Sequence, residues 1–137
     1  MNDHDQAIRE LLEGSRVIAV VGLSADEEKA SNRVARYLQS KGYRIIPVNP
    51  GYEEVLGEKA YKTLSEVPER VDIVDVFMRS EKVLPVVEEA VKLGPKAIWL
   101  QLGIVNEQAR LLAEQNNVGF VMDKCVKQEY ARLFGEE

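Results

Sequence analysis

A glycine that directly follows a buried strand is the first feature of this chain that could do chemistry. Val17 to Val21 is a continuous apolar run, which ends at Gly22 and a polar loop that extends to Lys29. The N–H groups of such a loop, with those of the helix after it, bind phosphate groups in many nucleotide sites. The pattern predicts a phosphate-bearing ligand. A loop that merely connects strand and helix is the alternative interpretation.

The same segment lacks the two marks of a dinucleotide site. That fingerprint reads G-x-G-x-x-G, with an acidic residue about 20 positions further on that holds the ribose hydroxyls. The run from Gly22 to Glu27 contains only the first glycine, and the second strand ends in Asn49 and Pro50 where the acid is expected. A ligand other than NAD or NADP is therefore favoured, and a small NAD(P)-dependent oxidoreductase or sensor is kept as the alternative.

The elements that must position this loop alternate between strands and helices. Apolar runs predict strands at Tyr43–Val48, Asp72–Phe77, Ala97–Gln101 and Gly119–Met122 in addition to Val17–Val21. Helical spacing and cap residues predict helices at Asp3–Glu13, between Lys29 and Gly42, at Ser80–Leu93, after Asn106 and at Lys127–Phe134. This alternation predicts an α/β, Rossmann-like three-layer sandwich with a doubly wound parallel five-stranded sheet. A reversal after the first strand predicts the order 3-2-1-4-5, with the ligand crevice between the first and fourth strands.

Three further segments carry expectations about structure. The long connection Asn49–Arg70 is expected to contain a short helix at Tyr61–Val67, and long excursions at this edge often belong to a site. Asp75 lies inside an apolar strand, where an ionised carboxylate needs partners, so we expect it to be hydrogen-bonded. Gln101, at the end of its strand, is expected to face the crevice.

The composition excludes several classes of function. With 137 residues and 45% hydrophobic content, the chain is expected to form one domain over residues 1–137. A net charge of −5 argues against a nucleic-acid partner, because binding to a phosphate backbone needs clustered lysine and arginine. No apolar run approaches the ~20 residues that span a bilayer, so we expect a cytoplasmic protein without a membrane partner.

Catalytic and metal-binding patterns are not evident in the sequence. The one histidine, His4, lies in a polar start, and no Ser-His-Asp, metal-ligand or paired-carboxylate arrangement is visible. We therefore expect no metal and no catalytic residues, and a binding protein rather than an enzyme.

Six segments, in this order and spacing, resemble the CoA-binding domain family, small stand-alone relatives of the N-terminal domain of the succinyl-CoA synthetase α subunit. The resemblance extends from about Ile8 to Phe134. The matching segments are Ile18–Ser24, Ser31–Val34, Pro47–Pro50, Asp72–Arg79, Ile98–Ile104 and Asp123–Tyr130.

The resemblance implies a Rossmann-like fold that holds coenzyme A, or an acyl-CoA, across the carboxyl edge of its sheet. It implies that phosphates are contacted by Gly22, Leu23, Ser24, Ser31, Asn32 and Arg33. It places Val48, Asn49 and Pro50 beside the adenosine, and Phe77, Met78 and Arg79 along the pantetheine arm. A protein partner is not indicated by any motif.

Cys125 is the residue through which thiol chemistry could be coupled to this ligand. It follows the fifth strand, so it is expected at the carboxyl edge near the thiol of coenzyme A. Lys124 and Lys127 flank it, and cations near a thiol favour the thiolate. The hypothesis is a reversible mixed disulfide with coenzyme A. The alternative is a small packing residue, because free cysteines are often buried.

Overall fold

A five-stranded parallel sheet lies at the centre of the computed structural model, which describes residues 2–135. The strands are β1 (Val17–Val21), β2 (Arg44–Val48), β3 (Glu54–Val55), β4 (Glu58–Lys59), β5 (Ile73–Val76), β6 (Ala97–Leu100) and β7 (Gly119–Val121). β3 and β4 form a separate antiparallel pair, and the other five form the sheet. Every residue of β5 and β6 is buried, as is typical of parallel strands covered on both faces.

Between residues 2 and 135, five α-helices cover the two faces of the sheet. They are α1 (Asp3–Glu13), α2 (Ala30–Ser40), α3 (Val83–Lys92), α4 (Glu107–Gln115) and α5 (Val126–Phe134). α1, α2 and α5 contribute to one apolar cluster, and α3 and α4 to a second cluster on the opposite face. This arrangement is a three-layer α/β/α sandwich and confirms the predicted Rossmann-like fold class.

The predicted strand order, however, was wrong. The sheet runs β2-β1-β5-β6-β7, which is 2-1-3-4-5 in the order of its own strands, so the reversal lies between β1 and β5. The outer edge of β2 is occupied by Tyr61, whose N–H donates to the Pro47 carbonyl at 3.0 Å. A proline has no N–H to donate and is confined to edge strands, so Pro47 leaves β2 at the edge. The crevice therefore lies between β1 and β5, not between the first and fourth strands.

Two predicted helices differ locally from the structure. The short helix expected at Tyr61–Val67 is a single 3-10 turn, Leu64–Glu66. The helix expected from Ser80 starts as a 3-10 turn and becomes α-helical at Val83, which leaves Pro85 in the first turn of α3, where a proline is tolerated.

Gly22 lies where the ends of β1, β2 and β5 converge. Its N–H donates to the Val48 carbonyl at 2.9 Å, and its φ is +85°. A Cβ built at this position would lie 2.2 Å from the Phe77 carbonyl oxygen. Only glycine accommodates both the left-handed backbone and this close approach. The turn that begins the candidate site is therefore packed directly against β5.

Asp75 is a carboxylic acid inside the sheet, and the expectation that it is hydrogen-bonded was wrong. Its side chain is fully buried between its strand neighbours Val20 and Trp99, and neither oxygen has a partner in the described chain. Burial raises the pKa of the Asp75 carboxyl well above its usual range, since the charged form is poorly solvated there. The neutral acid is the form that suits this site.

We predict that Asp75→Asn removes a pH dependence of stability. The folded pKa lies above the unfolded one, so the wild-type chain loses stability as pH rises above about 4, by about 1.4 kcal/mol per pH unit up to the folded pKa. The amide does not titrate. Urea unfolding of both proteins from pH 4 to pH 8 should show a free-energy difference that grows with pH in favour of the variant. A difference that stays constant would contradict a raised pKa.

We also predict that Gly22→Ala destabilises the fold more than Gly42→Ala does. Both glycines have positive φ, +85° and +93°, but a Cβ at Gly42 would meet no atom within 4 Å. Gly42→Ala should cost about 1–2 kcal/mol for the backbone alone, and Gly22→Ala at least about 2 kcal/mol more because of the clash with Phe77. Chemical denaturation measures both. Equal losses would show that the close approach is not tight.

Candidate functional site

The loop after β1 is held by two side chains from the first turn of α2. Ser24 donates its N–H to Ser31 Oγ at 3.0 Å, and its carbonyl accepts a hydrogen bond from Asn32 Nδ2 at 2.8 Å. Both side chains are buried, and Asn32 Oδ1 has no partner in the described chain. Ser31 and Asn32, predicted as phosphate contacts, therefore shape the loop through Ser24.

Two arginines of α2 bond the exposed part of the loop. Arg33 donates to the Glu28 carbonyl, and Arg36 donates to the Glu27 carbonyl at 3.1 Å. Both guanidinium groups lie at the surface. A guanidinium has five N–H groups in a fixed fork, so these carbonyl bonds leave donors for an anionic ligand.

The N-terminus of α2 has the electrostatic character of an anion site. Its N-cap residue, Lys29, has no side-chain hydrogen bond to the helix, and its first turn contains no acidic residue. The N–H groups of Ala30 and Ser31 lie in this turn, where a helix provides no carbonyl partner. No carboxylate within that turn therefore opposes the positive end of the helix dipole, and the nearest acidic residues in sequence, Asp26, Glu27 and Glu28, precede the N-cap.

The turn after β2 is bonded to the loop after β1. Asn49 Nδ2 donates to the Leu23 carbonyl at 3.1 Å, and Asn49 Oδ1 accepts from the Gly51 N–H at 2.9 Å. Val48 is buried, while Pro50 is exposed at the surface. The Leu23 side chain is fully buried, so only its backbone could reach a ligand. Asn49 thus fixes the position of this turn relative to the loop.

Tyr52 is a polar neighbour that the sequence analysis missed. Its hydroxyl lies 3.5 Å from Ser24 Oγ, and its ring packs against the core cluster beneath α2. Tyrosine pairs an apolar ring with a polar tip, so it suits the border of a ligand site. The available signal was its position just after the Asn49–Gly51 turn.

A cavity of about 420 Å³ opens beside the N-terminus of α2, at the carboxyl edge of the sheet. It brings together three predicted site residues from three elements, namely Arg33, Phe77 and Cys125. Seven further residues complete its lining: Ala30, Val34, Gln101, Leu102, Ile104, Lys127 and Gln128. Of these, only Gln101 was predicted to face the crevice. None of the described lining residues is acidic, which suits an anionic ligand.

The wall that carries Cys125 is fixed by hydrogen bonds to the end of β6. Gln101 Oε1 accepts from the Val126 N–H at 3.2 Å, and Trp99 Nε1 donates to the Lys124 carbonyl at 2.8 Å. Cys125 is a free, partly exposed thiol at the N-cap of α5. Its side chain is thus held at the cavity rather than enclosed in the core.

Met78 and Arg79 are not brought to this cavity. Phe77 packs on the α2 side of the sheet and lines the cavity, whereas Met78 packs against the opposite cluster beneath α3 and α4. Arg79 is exposed and precedes the 3-10 turn that leads into α3. Their roles along a ligand arm stay predictions.

Two other properties of the described residues bear on function. Between residues 2 and 135, no group of three or more histidine, cysteine, aspartate or glutamate side chains is arranged to hold a metal ion. In the same part of the chain, no helix has the length and apolar character needed to cross a bilayer.

Comparisons with known proteins give close relatives over nearly the whole chain. YneT, an uncharacterized protein of Bacillus subtilis, is 41% identical over 130 residues, which are 95% of this chain and 96% of that protein. A solved structure of a hypothetical protein from Pyrococcus horikoshii is 38% identical, with a TM-score of 0.92, and the match covers 96% of this chain and 92% of that one.

A larger enzyme contains a similar segment. The ADP-forming acetate–CoA ligase of Methanocaldococcus jannaschii is 26% identical over 117 residues, which cover 80% of this chain but only 17% of the ligase. The chain therefore spans less than a fifth of the ligase, whereas it matches YneT over nearly the full length of both. A family model described as a CoA binding domain matches residues 16–131. The chain belongs to the CoA-binding domain family.

Proposed function

We propose that this protein binds coenzyme A across the carboxyl edge of its sheet, between the loop after β1 and the cavity beside Cys125. The proposal rests on one observation: the N-terminus of α2 and the cavity that contains Cys125 adjoin each other at Arg33. Arg33 lies near the N-terminus of α2, whose first turn contains no acidic residue, and it also lines the cavity that contains Cys125. A ligand with phosphates at one end and a thiol arm at the other fits both.

The phosphate end of this proposal rests on the donors of the loop and of α2. The N–H groups of Ala30 and Ser31 and the guanidinium of Arg33 lie at the same helix N-terminus. Backbone N–H groups and a positive dipole end favour phosphate oxygens, and a guanidinium can bond them in pairs. In this proposal Ser24, Ser31 and Asn32 hold the loop in the required shape, together with Gly22.

The adenosine end rests on the turn that follows β2. At the strand end Val48 is buried, so the exposed ring of Pro50 beside Asn49 gives a shelf of fixed shape, and this turn contains no carboxylate to hold a ribose. Asn49 bonds this turn to Leu23, so shelf and phosphate loop have a fixed spacing. Such a shelf fits an adenosine whose ribose is recognised less directly than in NAD sites.

The pantetheine arm would extend from Arg33 along Phe77 towards Cys125. These side chains line one cavity, so no rearrangement of the backbone is needed to connect them. The cavity is within the range of about 300–1,000 Å³ that is usual for small-molecule sites. A thiol at the end of the arm would then lie close to the Cys125 thiol.

We predict that isothermal titration calorimetry will show binding of coenzyme A and none of NAD or NADP. Arg33→Ala should weaken coenzyme A binding about 10- to 100-fold, the usual effect of losing a hydrogen bond between charged groups. Tight binding of NAD(P) without any of coenzyme A would reverse the proposal in favour of the oxidoreductase alternative.

Arg36→Ala is the matched control for that variant. Arg36 lies on the same helix and donates to a carbonyl of the same loop, but it does not line the cavity. Its loss should leave the affinity for coenzyme A within about twofold of the wild type, because surface charge changes have small effects. Equal weakening by both variants would mean that general charge or loop order, rather than a phosphate contact, accounts for the effect.

We further propose that Cys125 exchanges with coenzyme A disulfide. The Cys125 thiolate would attack one sulfur of the disulfide, forming a Cys125–coenzyme A bond, and the other coenzyme A would leave as the thiolate. The proposal is supported by the free thiol of Cys125 at the cavity and by the flanking Lys127 in the same lining. The bond is reversible by any excess thiol.

Intact-mass spectrometry after incubation with coenzyme A disulfide tests this exchange. We predict one adduct, removed by dithiothreitol and absent from Cys125→Ser. Arg33→Ala should slow adduct formation with coenzyme A disulfide at least about tenfold while leaving the reaction with glutathione disulfide unchanged, since only the former needs phosphate recognition. No adduct, or an adduct that persists in Cys125→Ser, would refute the exchange.

A further inference from the structure

We infer that the cavity beside Cys125 receives an apolar acyl group carried on the sulfur of coenzyme A, so the preferred ligand is an acyl-CoA with a chain longer than acetyl. The inference rests on the proposed function, because the acyl group can reach the cavity only if the pantetheine arm leads there. It goes further by assigning the class of group at the end of the arm.

The lining of the cavity is more apolar than a thiol alone requires. Val34, Phe77, Leu102 and Ile104 contribute apolar side chains from α2, from the end of β5 and from the turn after β6. The proposed path of the pantetheine arm, from Arg33 along Phe77 to Cys125, does not include Leu102 and Ile104, so their side chains are left for another group to cover. When a hydrocarbon chain covers apolar surface that is otherwise in contact with water, the free energy of the complex falls.

Leu102 shows most clearly that part of the cavity lining is apolar surface left uncovered by the protein. It is 61% exposed, more than the other large hydrophobic side chains exposed in the described chain. Its turn is fixed on both sides, since the Gly103 N–H donates to Asp123 Oδ1 at 2.7 Å and the Ile104 N–H donates to the Gln101 carbonyl at 2.9 Å. A third bond, from the Val105 N–H to Ser80 Oγ at 3.0 Å, anchors the far end of the turn.

Because these three hydrogen bonds fix the backbone of the turn, the Leu102 side chain cannot become buried in the core. It is held at the cavity in contact with solvent, and covering it requires another molecule. A single exposed leucine is common on protein surfaces, but this one lines the same cavity as three other apolar side chains and the thiol of Cys125. An acyl chain on the ligand's sulfur would cover that wall.

The wall of the cavity that Leu102 and Ile104 form favours an uncharged acyl group. Of the two cationic residues that line the cavity, Arg33 is assigned to the phosphates in the proposed function, and Lys127 Nζ lies 5.2 Å from the ring centre of Tyr37, which is outside the lining. The wall formed by Leu102 and Ile104 contains no charged side chain. A carboxylate at the end of the acyl chain would meet that wall without an ionic partner.

Calorimetric titration with coenzyme A, acetyl-CoA, butyryl-CoA, hexanoyl-CoA and succinyl-CoA, with a reductant present, tests the inference. Each buried methylene should strengthen binding about fourfold, so butyryl-CoA should bind at least about tenfold more tightly than acetyl-CoA. Succinyl-CoA, which ends in a carboxylate, should bind more weakly than butyryl-CoA. The reductant prevents a disulfide with Cys125 from contributing to the affinity.

Leu102→Ser and Leu111→Ser form a matched pair for the same titration. Leu111 is 48% exposed but lies on α4 and does not line the cavity. The ratio of butyryl-CoA affinity to coenzyme A affinity should fall at least about threefold in Leu102→Ser and keep its wild-type value in Leu111→Ser. Taking the ratio within each variant separates the acyl contribution from any general loss of binding.

The outcomes distinguish the two proposals. If coenzyme A binds but the acyl series is flat, or if succinyl-CoA binds more tightly than butyryl-CoA, the acyl inference is overturned and coenzyme A binding stands. An unchanged ratio in Leu102→Ser would equally overturn it. If neither coenzyme A nor any acyl-CoA binds, the proposed function itself fails, and the inference fails with it.

Discussion

The close approach of Gly22 to the Phe77 carbonyl, at the end of β5, fixes the geometry of the whole site. Its N–H bonds the end of β2, and its Cα faces the Phe77 carbonyl of the strand segment on the other side. The ends of three strands are thereby held together at the point where the strand order reverses, between β1 and β5. Open α/β sheets bind ligands at this point because the loops on either side diverge and leave a crevice. The loop after β1 and the cavity lined by Phe77 are therefore neighbours.

Around this crevice, some polar residues hold the backbone of the loop and others are exposed where a ligand could contact them. The side chains of Ser31, Asn32 and Asn49 form hydrogen bonds with backbone groups of the loop. These bonds set the shape of the loop without a ligand. Arg33 remains at the surface, and Cys125 remains partly exposed at the cavity. A preformed loop lowers the ordering cost of binding, so more of the contact energy contributes to affinity. The proposed recognition of coenzyme A follows from this division.

Much of the fold was predictable because its signals are local. The bounds of α1 and β1 agree with the prediction, since apolar spacing and Gly14 and Gly22 mark their ends. The strand order was missed although Pro47 carried the signal, because a proline inside a strand indicates a sheet edge. Phe77 and Met78 directly follow β5 and pack on opposite faces of the sheet. The alternation of side chains along a strand was the sequence signal against placing both in one cavity. Leu102 and Lys127 reach the cavity only through tertiary packing, and no sequence spacing indicates that.

A crystal structure of the protein grown with coenzyme A would show whether this crevice holds the ligand. We expect the diphosphate at the N-terminus of α2 within hydrogen-bond distance of Arg33, the adenosine against Asn49 and Pro50, and the sulfur in the cavity beside Cys125. Density for the ligand on another surface, with this crevice filled by side chains of the protein itself, would contradict this placement.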